Sequence, residues 1–161
     1  MVETTNRVIV RASGACLLLL GHLKLLGLLE RNDFLALTNA IFAPLTNVTI
    51  VGIAGLVEIA VGLVALVSRK HLTGAWLLLW LSCGMMAYKL GLALVGYKGP
   101  CGCLLGITRL VPLPTGLQRE IADYLGFWFL GSSLYVVISD RLCRFPLQPP
   151  PQPAAGEVPD P

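Results

Sequence analysis

Charge is what this chain has least of. Only 13% of its 161 residues are Asp, Glu, Lys or Arg, whereas 55% are hydrophobic. A soluble domain carries about 25% charged and roughly 45–50% apolar residues. With so few charges there is too little polar surface to cover a water-soluble globule. A soluble enzyme, a nucleic-acid binder and a disordered chain are therefore excluded together. The net charge of +3 does not restore nucleic acid as a partner, because the 12 Lys and Arg are scattered and form no basic stripe. The sequence also lacks a nucleotide-binding glycine loop after a strand, a Ser-His-Asp arrangement and a metal cage. Its apolar segments show no period-two alternation, which argues against strands.

What the chain does have is long apolar runs, with a mean hydropathy of +0.75. A membrane-spanning helix needs about 20 mostly apolar residues. Residues 8–29, 48–67, 73–96 and 122–139 qualify. The first is not a signal peptide: its apolar stretch is too long, it holds His22 and Lys24, and no small-x-small site follows Leu29. The expected fold is all-α, an integral membrane four-helix bundle over residues 1–145, with the lipid bilayer as its main partner.

The connections differ in character. Residues 30–47 are rich in apolar side chains such as Phe34, Leu37 and Phe42, and predict a short helix on the membrane surface ending near Pro44. Residues 68–72 form a tight turn. Residues 97–121 hold Gly99, Pro100, Pro112, Pro114 and Gly116, and read as irregular. Residues 146–161 are a Pro-rich tail expected to be disordered. Arg7, Arg11, Arg69, Lys70, Arg141 and Arg144 fall on the side of the termini, against Arg31, Lys98, Arg109 and Arg119 on the other. The bias places both termini in the cytoplasm.

Of five cysteines, Cys101 and Cys103 are the informative pair, in Gly99-Pro100-Cys101-Gly102-Cys103. They follow the third span on the expected extracytoplasmic side, where disulfides persist. Gly102 tolerates the backbone angles a bond between them would need. So small a ring would be strained, and strained disulfides exchange readily. Lys98 and Arg109 would favour the thiolate. A structural or inert pair and a soft-metal site are competing readings. Zinc is not supported, for want of a second ligand pair. Cys16 and Cys83 read as small core residues, and Cys143 as a free thiol.

Three charges lie inside the apolar runs beyond their first turns: Lys24, Glu58 and Lys89. Glu58 is near the centre of the second span, where a carboxylate marks function or a buried pair. Lys24 and Lys89 are its available partners, and His22 lies at a depth similar to Lys24. Gly14 and Gly21, Gly55 and Gly62, and Gly84 and Gly91 each repeat at seven residues, nearly two helical turns. Small residues on one face let helices approach closely. Glu58 falls between Gly55 and Gly62, Tyr88 between Gly84 and Gly91, and Lys24 three residues past Gly21. Glu58, Lys24 and Tyr88 should therefore face one bundle interior. The bland reading is a Glu–Lys pair that fixes register. The functional one is a site for a proton relay or a quinone headgroup.

These residues resemble the MauE family of DoxX-like four-span membrane proteins. The resemblance covers about residues 7–141. It rests on Gly14-Ala15-Cys16-Leu17 through Gly21-His22-Leu23-Lys24-Leu25, on Val57-Glu58-Ile59-Ala60-Val61-Gly62-Leu63, and on Cys101-Gly102-Cys103-Leu104-Leu105-Gly106. The last is similar to the family's Cys-x-Cys-x-Gly motif, with one additional residue before the glycine. The resemblance implies redox work on exported proteins at the inner membrane. In the namesake this is maturation of the disulfide-rich subunit of methylamine dehydrogenase. Cys101 and Cys103 would be the exchangeable pair, with a thioredoxin-like protein or an exported client as partner. Alternatives are a non-enzymatic assembly factor with a structural cysteine pair, and a small transporter built on Glu58.

Overall fold

The computed structural model describes residues 2–29, 33–97 and 114–144. Among them the helices are α1 (Val2–Gly27), α2 (Asp33–Ala36), α3 (Asn47–Val67), α4 (His71–Leu94) and α5 (Thr115–Arg144). The described residues contain no strand, only an isolated bridge between Thr38 and Thr46. Four of the helices are long and apolar enough to cross a membrane.

Local chemistry sets the helix ends. Thr46 caps α3 by accepting the Thr49 N–H. The chain leaves α3 at Ser68, whose backbone is extended. Past α4, Gly96 takes a φ of 68°, the left-handed region open to glycine. Its N–H donates to Ala93 O at 3.1 Å, and the Tyr97 N–H to Leu92 O at 3.0 Å. This paired closure satisfies two terminal carbonyls and stops the helix at Leu94, slightly short of the expected span.

Two other boundaries depart from expectation. Helix α5 starts at Thr115, so residues 115–121 are helical rather than irregular. Pro114 stands just before the helix, where its carbonyl accepts the Gln118 N–H at 3.0 Å. At that position its missing N–H breaks nothing. Helix α1 begins at Val2, well before residue 8, and an exposed Arg7–Glu3 pair at 3.0 Å supports its first turns.

The short helix expected over residues 30–47 is confined, among the described residues, to α2 (Asp33–Ala36). A single turn, α2, gives way to a loop that folds back on itself. Asn39 N–H donates to Leu45 O at 2.7 Å, and Asn47 N–H to Leu37 O at 2.9 Å. The cause is Asn39, whose Oδ1 accepts the N–H groups of Ile41 and Phe42, each at 3.0 Å. A side chain that takes local backbone donors competes with helix formation. Leu35 is buried against Val51 and Leu28, which pins the start of the loop to the bundle.

The long helices run antiparallel in sequence order. Gly14 meets Gly62 while Gly21 meets Gly55, so α3 descends as α1 rises. Asn6 Nδ2 donates to Ser139 Oγ at 2.9 Å and the Ser13 and Ser132 hydroxyls lie 3.5 Å apart, so α5 also opposes α1. His71 faces Asp140 at 3.7 Å and Lys89 faces Asp123 at 2.8 Å, joining α4 to α5. The α1–α3 seam is the most extensive contact, and the α3–α4 contact is much thinner. Leu17, Leu78 and Phe129, each 1% exposed, fill the centre. The outer surface carries exposed Leu19, Leu56, Trp80, Phe127 and Trp128. So apolar an exterior suits a lipid bilayer.

Candidate functional site

The seven-residue glycine spacing brings the α1 and α3 backbones together. A Cβ added at Gly21 would lie 2.7 Å from Gly55 O, and one at Gly62 would lie 2.7 Å from Gly14 O. Only glycine fits either place. Glu58 sits between Gly55 and Gly62 on this seam and is 1% exposed. Lys24 is 4% exposed. Helical side chains lean toward their own N-terminus, so the Lys24 stem runs back down α1, and its Nζ donates to Glu58 Oε1. Glu58 Oε2 is buried and has no hydrogen-bond partner among the described residues.

Beside this pair lies a cavity of about 280 Å³. Helix α3 contributes Asn47, Ile50, Val51, Ala54 and Glu58, which share one face at helical spacing. Helix α4 contributes Trp80, Leu81, Gly84, Met85 and Tyr88, and Lys24 and Asn39 complete the wall. Asn39 is the hub at the loop end. Its Nδ2 donates to Asn47 Oδ1 at 3.0 Å and to Tyr88 Oη at 2.8 Å. Phe42 stacks on the Tyr88 ring, with centroids 6.2 Å apart and planes 1° from parallel. The loop thus closes one end of the cavity.

Glu58, Lys24 and Tyr88 therefore share one cavity. Lys89 does not join them. It turns to α5 and pairs with Asp123 at 2.8 Å, so it is not the partner of Glu58. His22 is also apart. Two residues on a helix are about 200° apart, so His22 points away from the Lys24 side; it is exposed, and its Nδ1–H donates to Leu18 O at 2.7 Å. The α4 glycines likewise do not form a helix seam. A Cβ at Gly84 would meet nothing within 4 Å, and at Gly91 it would meet only the Ile41 side chain. Cys83, expected in the core, is exposed; Cys16 is half-buried, Cys143 is exposed, and all three are free thiols. Cys101 and Cys103 lie outside the described residues, as does the tail over residues 146–161.

Asn39 and Asn47 are the site residues that sequence reasoning missed. Asparagines within a connection rich in apolar residues are a signal in retrospect, since a buried amide must find partners. Chemically, the site joins a charge-balanced pair to a mostly apolar wall. It can hold a polar head inside an apolar bundle, and it can take up or release a proton at Glu58. Among the described residues no group of three His, Cys, Asp or Glu could hold a metal ion. No family model, curated protein or solved structure matches the chain.

Proposed function

We propose that this is a multi-pass inner-membrane protein, with both termini cytoplasmic, that supports thiol–disulfide or electron transfer in the maturation of exported proteins. Cys101 and Cys103 are the exchangeable pair. The thiolate of one forms a mixed disulfide with a thioredoxin-like partner or a client, and the other resolves it. Oxidation of the dithiol releases two electrons and two protons. A quinone reduced to its quinol takes up both, and the Lys24–Glu58 cavity is the polar site beside which this occurs. The observation that carries the reading is positional. The cavity reaches Tyr88 at the end of the bundle where α4 stops at Leu94, and the connection to α5 that holds both cysteines starts there. The resemblance to the MauE family supports the same assignment.

Thiol trapping in intact cells tests it. Cys101 and Cys103 should cycle between reduced and oxidised forms and should label from outside the cytoplasm. Cysteines that never change state, or that label only from the cytoplasm, would refute the reading. Replacing both by Ser separates chemistry from a structural staple: chemistry predicts lost function at unchanged abundance, and a staple predicts lost protein.

A further inference from the structure

The bundle is packed on three sides of the cavity. At the loop end, Asn39 ties the folded-back segment to Asn47 and Tyr88. Behind it, the Gly21–Gly55 contact leaves no gap between α1 and α3. Toward the termini, Leu17, Leu78 and Phe129 fill the core. The fourth side is the thin α3–α4 contact. Trp80 lines the cavity yet is 72% exposed on the outer surface, and among the described residues nothing lies within 4 Å of a Cβ placed at Gly84. The opening therefore faces sideways, through the apolar exterior of the bundle.

We infer that the cavity is loaded laterally from the acyl-chain layer, between α3 and α4, by a neutral single-chain amphiphile with a hydroxyl head that donates a hydrogen bond. The inference rests on the cavity half of the function proposed above and is independent of the cysteines.

The head chemistry follows from the pair. Lys24 and Glu58 balance each other, so a charged head of either sign gains from one group what it loses to the other. The unmet need is a donor for Glu58 Oε2, since a buried acceptor without a partner is costly. Glu58 lines the cavity, and a modest turn of its carboxylate about the broad last torsion would bring that oxygen to the wall while Lys24 stays within reach. Ile50, Val51, Ala54, Leu81 and Met85 offer methylenes only apolar contact. The volume of about 280 Å³ is just below the ~300–1,000 Å³ common for ligand sites. It holds a head and the first part of a chain, and the remainder passes out past Trp80 into lipid.

The test uses the full chain in liposomes, with Trp76→Phe and Trp128→Phe leaving Trp80 as the only tryptophan. Bromine-tipped undecanol is titrated against brominated phosphatidylcholine and bromine-tipped undecanoate. Saturable quenching by the alcohol, at a mole fraction about tenfold below that for phosphatidylcholine, is the expected result. It should be lost in Lys24→Met/Glu58→Leu, which replaces the pair by apolar groups of similar size. It should also be lost in Gly84→Leu, which fills the opening without touching the pair. Quenching that follows mole fraction alike for alcohol and phospholipid overturns the inference. So does tighter binding of the carboxylate than of the alcohol, or full retention of saturable quenching in Gly84→Leu. Because the readout ignores redox state, these outcomes and the thiol-trapping result can fail separately.

Discussion

Removing Lys24 should harm the protein far more than removing Glu58, although the two make one ion pair. The asymmetry comes from where each charge can go when left alone. Lys24 is three residues from the end of α1 at Gly27, about 5 Å along the axis. Its long stem can turn outward and carry the ammonium to the surface. Glu58 is eleven residues from Asn47 and nine from Val67, about 13 to 17 Å from either end of α3. Its short stem is locked in the glycine seam, and no rotamer brings it to water. An orphaned buried charge costs about 3–5 kcal/mol. Lys24→Met should therefore destabilise the fold by about 3 kcal/mol or more, and Glu58→Leu by about 1 kcal/mol, a neutral loss with a lysine that escapes. The double replacement should return to within about 1 kcal/mol of the natural protein, because apolar substitutes of similar volume often match a buried pair. The cycle then gives a coupling of about 3–4 kcal/mol, far above the ~0.6 kcal/mol typical of hydrogen bonds between membrane helices. Reversible unfolding in mixed micelles, followed by circular dichroism, measures all four proteins. Equal costs for the two single replacements, or a double variant as weak as Lys24→Met, would refute the reasoning.

Three further outcomes follow from the packing. Gly21→Leu or Gly62→Leu drives a side chain into a facing carbonyl 2.7 Å from the new Cβ; either should abolish folded protein on size exclusion, whereas Gly84→Leu should leave the elution profile unchanged. Asn39→Leu leaves Asn47 and Tyr88 short of one partner each and releases the backbone of Ile41 and Phe42; hydrogen exchange over residues 37–47 should accelerate at least tenfold while α1 and α3 exchange as before. Asn6→Leu removes a buried amide whose Oδ1 has no partner among the described residues; the loss of its 2.9 Å bond to Ser139 should be offset by relief of that oxygen, with a stability change within about 1 kcal/mol by the same unfolding assay.

The helices were legible because apolar run length is a direct consequence of their surroundings. Glu58 and Lys24 were legible for the converse reason, as charges that a sequence this apolar makes conspicuous. The α1 and α3 glycines pointed correctly to a seam, since seven-residue spacing marks a face on any helix. The same spacing at Gly84 and Gly91 marked a face that no described helix covers, because periodicity says which residues align and not what they align against. Lys89 shows the limit again: like Lys24 it lies in the last turns of its helix, and only the rotation of α4 decides between Glu58 and Asp123. Asn39 was illegible because its partners, Asn47 and Tyr88, are brought to it by the assembled bundle.

The Gly14–Gly62 and Gly21–Gly55 seam also bears on how such a chain is made. For a protein threaded into a bilayer one helix at a time, α3 is the difficult passenger, since it carries a carboxylate at its middle. Lys24 has already arrived with α1. As α3 emerges, its glycines let it lie directly against α1, and the carboxylate meets an ammonium before it must face lipid alone. In such a sequence the first two long helices would enter as one hairpin with its buried charges paired. The second pair, joined by Lys89–Asp123 and His71–Asp140, can enter the same way. On this view the order of residues along the chain is also an order of safe delivery, and moving Lys24 to a later helix would strand Glu58 during synthesis even if the finished bundle were unchanged.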